Sequence, residues 1–84
     1  MSLFLPLALP NGTVIPNRIA KAAMEENMAD GDHAPSDALI RLYRAWAEGE
    51  AGLIVTGNVM VDARAMTGPG GVVLEDDRHI DRFR

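Results

Sequence analysis

Eighty-four residues, 48% hydrophobic and 24% charged, with a formal net charge of −4 and a mean hydropathy near zero, exclude a disordered chain and a fibrous repeat. The absence of cysteine excludes a disulfide scaffold, a thiolate zinc site, an iron–sulfur cluster and a cysteine nucleophile, and eight basic residues against twelve acidic ones, with a single lysine, argue against a nucleic-acid surface. No apolar run reaches the roughly 20 residues of a membrane helix, and the start, Met1-Ser2-Leu3-Phe4-Leu5-Pro6, lacks the regions of a signal peptide, so a cytoplasmic protein is expected.

Residues 5–15 open the chain with apolar residues flanking Pro10-Asn11-Gly12-Thr13. Asn-Gly is a strong hairpin signal because both residues tolerate positive φ, while Pro6, Pro10 and Pro16 cannot donate to a ladder, so short edge strands are predicted. Residues 18–24 are predicted as a short buried strand, with small Ala20, Ala22 and Ala23 allowing close packing. A polar, acidic loop follows over residues 25–35, long enough to suggest function. Ser36 caps a helix, with Asp37 in its first turn. Leu39, Leu42, Tyr43, Trp46 and Ala47 make one apolar face at the 3.6-residue period, and Gly49 is the stop. Gly52-Leu53-Ile54-Val55-Thr56-Gly57 reads as a strand buried on both faces of a parallel sheet, continued by Val59, Met60 and Val61. A Gly/Pro-rich loop and an acidic stretch lead to the opening turns of a second helix, with Ile80 and Phe83 at helical spacing.

Strand, helix and strand form a βαβ unit, whose crossover is right-handed almost without exception. A parallel pair needs layers on both faces and partners on both edges, and one helix cannot supply them. The expectation is therefore the first piece of a larger α/β protein, or a chain that needs partners to fold.

Most candidate constellations have a plain structural reading. His33 lies among Asp30, Asp32 and Asp37, but a calcium loop started at Asp30 meets Ala34 and Arg41 where ligands are needed, so no metal site is expected. Gly68-Pro69-Gly70-Gly71 lacks the Lys-Ser/Thr of a phosphate loop and does not turn a strand into a helix. His79 beside Asp76 and Asp77 reads as a surface residue at a helix start, Ser36 as a cap, and Tyr43 and Trp46 as core. The positions that point to a ligand are the C-terminal strand ends, Ala22, Ala23, Met24 and Glu25 on the first and Gly57 and Asn58 on the second. Parallel α/β proteins bind ligands at that edge, and small residues there leave backbone groups open to a flat molecule.

The run Leu9-Pro10-Asn11-Gly12-Thr13-Val14-Ile15-Pro16-Asn17-Arg18-Ile19, followed by Ala22-Ala23-Met24, resembles the opening of the old yellow enzyme family of NADH:flavin oxidoreductases, including its dienoyl-CoA reductase-like branch. Leu42-Tyr43-Arg44-Ala45-Trp46-Ala47-Glu48-Gly49, Gly52-Leu53-Ile54-Val55-Thr56-Gly57-Asn58, and Gly68-Pro69-Gly70 through Asp76-Asp77 continue the likeness over essentially the whole chain. The resemblance implies the N-terminal fragment of a TIM (β/α)8 barrel that binds FMN at its C-terminal face. Residues 1–84 would be a partial FMN-binding domain: a hairpin over 3–16 closing the barrel bottom, a first β-α-β over 18–61, and a loop and helix start over 62–84. It further implies FMN contacts from Ala22, Ala23, Met24, Glu25, Gly57 and Asn58, mainly through backbone at Ala23 and Met24. Glu25 stands where the family carries Thr or Cys to hydrogen-bond the flavin, and a carboxylate there disfavours the anionic reduced ring.

The implied activity is hydride transfer from NAD(P)H to FMN and on to an activated alkene or enone, the flavin supplying the chemistry and the protein the position. The family's substrate-activating pair, proton donor and phosphate loops have no counterpart among these residues, so no catalytic residue is assigned. A truncated piece, inactive alone, is expected. The alternatives are a non-enzymatic barrel fragment that assembles with another polypeptide or with itself, and a fragment of another TIM-barrel or doubly wound enzyme.

Overall fold

The computed structural model describes residues 2–84. In chain order it runs β1 (Leu7–Ala8), β2 (Val14–Ile15), β3 (Ala20–Lys21), α1 (Asp37–Glu48), β4 (Leu53–Ile54), β5 (Val59–Met60), β6 (Val72–Val73) and α2 (Ile80–Phe83). The strands pair as three two-stranded ladders, β1–β2 antiparallel, β3–β4 and β5–β6 parallel.

The hairpin forms over the expected residues, with a different turn. Gly12 N–H donates to the Leu9 carbonyl and Leu9 N–H to the Thr13 carbonyl, which makes a three-residue loop. Gly12 alone is left-handed, at φ 90°, and Asn11 is not. The physical reason is Pro10, whose ring fixes φ near −65° and favours a type I turn closed by a left-handed glycine over a two-residue mirror-image turn. The Asn11 side chain accepts from Thr13 N–H instead, at 3.0 Å.

The helix starts and stops as its sequence dictates. Ser36 Oγ accepts from Leu39 N–H at 3.0 Å and donates to the Met28 carbonyl, tying the loop to the cap. At the other end Gly49 keeps a negative φ of −74°, and Glu50 takes the left-handed position at 69°. On the apolar face Leu39 is buried, Leu42, Tyr43 and Trp46 are half-buried and Ala47 is exposed. Tyr43 and Trp46 are therefore partly covered side chains rather than core.

Two expectations about strands are corrected. The segment at 52–57 is not buried on both faces: Leu53 is 45% and Val55 44% exposed. In the register Ala20 opposite Leu53 and Lys21 opposite Ile54, alternation puts Lys21 and Ile54 on one face and Ala20, Leu53 and Val55 on the other. The Lys21 side meets α1, and no layer among the described residues covers the other side. The strand at 18–24 is likewise short and largely exposed, with Ile19 at 39%. The second correction is at Val72 and Val73, which fall in the expected loop and helix start yet form β6, parallel to β5 and buried. An apolar pair flanked by glycine and acidic loops carries no period, so only its partner identifies it as a strand.

Among the described residues the buried apolar set is Ala34, Leu39, Val72 and Val73, and no side chain is fully buried. The radius of gyration is 15.0 Å, against about 12 Å for a compact domain of this length. The accessible surface is 5947 Å², against roughly 4,900 Å² for a monomer of this mass. The enclosed apolar surface is small for a chain of this length. No helix among the described residues is long and apolar enough to cross a membrane.

Candidate functional site

The parallel register of β3 and β4 brings their C-terminal ends side by side, as the βαβ topology requires. The last backbone rung is Val55 N–H to the Lys21 carbonyl, at 3.1 Å. Past it the strands stay close: a Cβ added at Gly57 would collide with the Met24 carbonyl and the Glu26 carboxylate. Glycine at 57 is the residue that permits this approach.

Of the six candidate residues, Ala22, Ala23, Met24 and Glu25 form one exposed edge, with Met24 50% exposed. The backbone N–H groups of Ala23 and Met24 donate to no group among the described residues. Gly57 is buried, and its N–H is engaged by Glu26 Oε2 and by the Tyr43 hydroxyl, each at 3.1 Å. Asn58 is half-buried and donates through Nδ2 to Thr67 Oγ1 at 3.2 Å. The open backbone thus lies on the first strand end, while the second is tied inward.

Three side chains that the sequence reading left out surround this edge. Lys21 Nζ donates to the Ala22 carbonyl at 2.7 Å and the Val55 carbonyl at 2.8 Å. It stands 4.6 Å from the Trp46 ring centroid and 5.7 Å from that of Tyr43, within cation–π range. The two rings meet edge to face at 5.1 Å. Tyr43 Oη donates to Glu26 Oε2 at 2.7 Å. Burial pushes the Tyr43 hydroxyl above its ordinary range and the Glu26 carboxylate adds to this, while the Gly57 N–H works against it. Only the chemistry of these residues signalled them: a lysine in an apolar strand, a hydroxyl on an apolar helix face, and a second carboxylate beside Glu25.

A cavity of about 300 Å³ lies behind the site, between α1, β5, β6 and α2, with Leu39, Tyr43, Val59, Val72 and Phe83 in its walls. It is mostly apolar space, bordered on the side of the site by Glu26, Tyr43 and Gly57. In the acidic loop, His33 Nδ1 lies 3.3 Å from the Gly71 carbonyl and His79 Nε2 lies 3.7 Å from Asp32 Oδ2. Among the described residues no group of three or more His, Cys, Asp or Glu side chains is placed to hold a metal ion. The glycine loop packs on this same segment, Ala29 N–H donating to the Gly70 carbonyl at 3.0 Å.

No protein-family model matches the chain. It is 47% identical over 58 residues to an NADH-dependent flavin oxidoreductase of Neonectria sp., a match covering 69% of this chain and 8% of that protein. It is 40% identical over 60 residues to an NADH-dependent flavin oxidoreductase of Hypocrea jecorina, covering 71% of this chain and 15% of that protein. The chain thus spans a small part of these relatives' length. Its backbone matches the old yellow enzyme homologue from Zymomonas mobilis with a TM-score of 0.85 at 24% identity, over 99% of this chain and 22% of that one. At that identity the likeness is one of fold, that of part of a TIM barrel.

Proposed function

This chain belongs to the old yellow enzyme family, and from that premise we propose that it supplies one part of the flavin site of an FMN-dependent oxidoreductase that uses NAD(P)H to reduce an activated alkene or enone. The observation that carries the reading is the open edge at residues 22–25. It sits at the C-terminal end of a parallel strand, where barrel enzymes place their chemistry.

The residues fit a flat, polar-edged ring. Ala22 and Ala23 present no bulk, so a planar group can reach the backbone, and the N–H groups of Ala23 and Met24 are available as donors. When bound, the flavin supplies hydride acceptance and donation. This chain's residues would hold one side of it and set its electrostatics. Glu25, exposed at the end of the edge, brings negative charge where the family has a neutral donor. The exposed Leu53 and Val55 support a companion requirement, that the edge works when another part of a barrel or another copy of the chain covers the open sheet face.

Titrating the purified chain into FMN tests the proposal. Quenched or shifted flavin fluorescence that saturates is expected, and it is weakened by Ala23→Leu, which puts bulk on the edge. Unchanged fluorescence across the titration refutes flavin binding by these residues. Size measurement on the same samples tests assembly, a monomer that binds FMN counting against any need for a partner.

A further inference from the structure

We propose that Lys21, Glu26 and Tyr43 form a side-chain clamp that joins the C-terminal ends of β3 and β4 beyond their last backbone rung and so positions residues 22–25 for the flavin. The proposal rests on the flavin reading above and adds three positioning residues to it.

The ladder stops too early to hold the edge. After Val55 N–H to Lys21 O, no backbone–backbone bond links residues 22–26 to residues 56–58. Free strand ends with exposed amides would fray. Side chains take over the ladder's role. The Lys21 ammonium bonds one carbonyl on each strand, Ala22 and Val55. The Glu26 carboxylate, which follows β3, accepts from Gly57 N–H, which follows β4. Tyr43 from α1 donates to that carboxylate and accepts from the same N–H. Each charge faces backbone dipoles of opposite sign, the arrangement in which hydrogen bonds are strongest. Trp46 covers the ammonium and keeps it on the helix side of the sheet.

The clamp also leaves the edge free. It engages the Ala22 carbonyl and the Gly57 amide and touches neither the Ala23 nor the Met24 N–H. An edge fixed at both ends with its donors unused is preorganised, so a ligand meets it without ordering it first.

Three variants of the 84-residue chain test this: Glu26→Ala, Glu26→Gln and Lys21→Met. Three readouts are followed, amide hydrogen exchange at Val55 and Gly57, phenolate absorbance of Tyr43, which is the single tyrosine, and the FMN titration. Glu26→Ala should speed exchange at Gly57 by roughly ten- to a hundredfold, the equivalent of one charge-assisted hydrogen bond, move Tyr43 ionisation to lower pH and weaken FMN binding about tenfold. Glu26→Gln, which keeps an acceptor oxygen, should restore exchange and FMN binding to within about threefold of the native chain. Lys21→Met should loosen Val55 and weaken FMN binding with α1 exchange unchanged, and it carries the test if Glu26→Ala loses its helical circular dichroism. Unaltered exchange at Val55 and Gly57 overturns the clamp. Faster exchange with unaltered FMN affinity overturns its positioning role. A native chain that shows protected amides and a shifted tyrosine yet leaves FMN fluorescence unchanged overturns the flavin reading and, with it, the positioning role, while the clamp stands as a structural device.

Discussion

Replacing Gly57 by alanine is the sharpest test of how closely the two strand ends approach. A Cβ built there lies 2.5 Å from Glu26 Oε2 and closer still to the Met24 carbonyl, where ordinary contact begins at 3.4 Å. The carbonyl is backbone and cannot rotate aside, so β3 and β4 must part. Overpacking of that kind costs about 1–3 kcal/mol. Parting the strands also stretches the Gly57 N–H bond to the Glu26 carboxylate, about 1.5–3 kcal/mol for a bond to a charged group. The reduced freedom of the unfolded chain returns about 0.4–1 kcal/mol. The net expectation is a loss of about 1.5–5.5 kcal/mol. Two controls separate the terms. Gly31 has open space around its Cβ position and no positive φ, so Gly31→Ala should be neutral or stabilise by up to about 1 kcal/mol. Gly12 also has open space but a φ of +90°, so Gly12→Ala should cost about 1–2 kcal/mol from backbone strain alone. Urea unfolding followed by Trp46, the single tryptophan, measures all three. Gly57→Ala within about 0.5 kcal/mol of Gly31→Ala, the scatter of surface substitutions, would refute the close approach.

Ser36→Ala removes a helix cap worth about 1 kcal/mol and strands the Met28 carbonyl, at about 1–3 kcal/mol more. A melt followed by helical circular dichroism should show the combined loss, and an unchanged melting temperature contradicts it. Tyr43 has its folded-state ionisation raised above the ordinary 10.0. The stability this contributes is fully present below pH 10.0 and is lost as pH rises through the folded value. Unfolding followed by helical circular dichroism should therefore be steeper in alkali for the native chain than for Tyr43→Phe, and parallel curves would count against the part-buried hydroxyl. Asp37 is held below its ordinary 3.8 by the hydrogen bond from Arg82 and then by the charge of that guanidinium. Its contribution is present above 3.8 and lost as pH falls through the lowered folded value. The pair is exposed, so Asp37→Asn should flatten the acid limb at low salt and have little effect at high salt. An acid limb indifferent to both salt and substitution would rule the pair out.

What the sequence could tell divides along a physical line. Local rules predicted local structure: Ser36 and the 3.6-residue spacing of Leu39, Leu42, Tyr43 and Trp46 set α1, and proline and glycine set the hairpin to within a turn type. Pairing between distant segments was legible where a helix separated the strands, as for β3 and β4, because the crossover rule supplies the partner. It was illegible for β5 and β6, whose connection over residues 61–71 holds no helix to announce a parallel return. The site split the same way. The edge at residues 22–25 follows from strand polarity, which sequence order reveals. Lys21, Glu26 and Tyr43 follow from side-chain direction across three elements, and hydrophobic periodicity registers Tyr43 by its ring while missing its hydroxyl.

The open sheet face and the edge at residues 22–25 adjoin one another. Ala20, Leu53 and Val55 share the uncovered face, and alternation along β3 places Ala22 there too. Lys21, Tyr43 and Glu26 approach from the opposite side, where α1 lies. The clamp therefore supports the strand ends from behind, and nothing within residues 2–84 supports them from the front. The carboxylate and the ammonium are both held on the helix side, which leaves the front to apolar side chains. A layer that buried Leu53 and Val55 would hold β3 and β4 together from the front as the side chains do from behind. A ligand that bound only the paired strand ends would therefore be linked to that covering, each stabilising the state that the other requires.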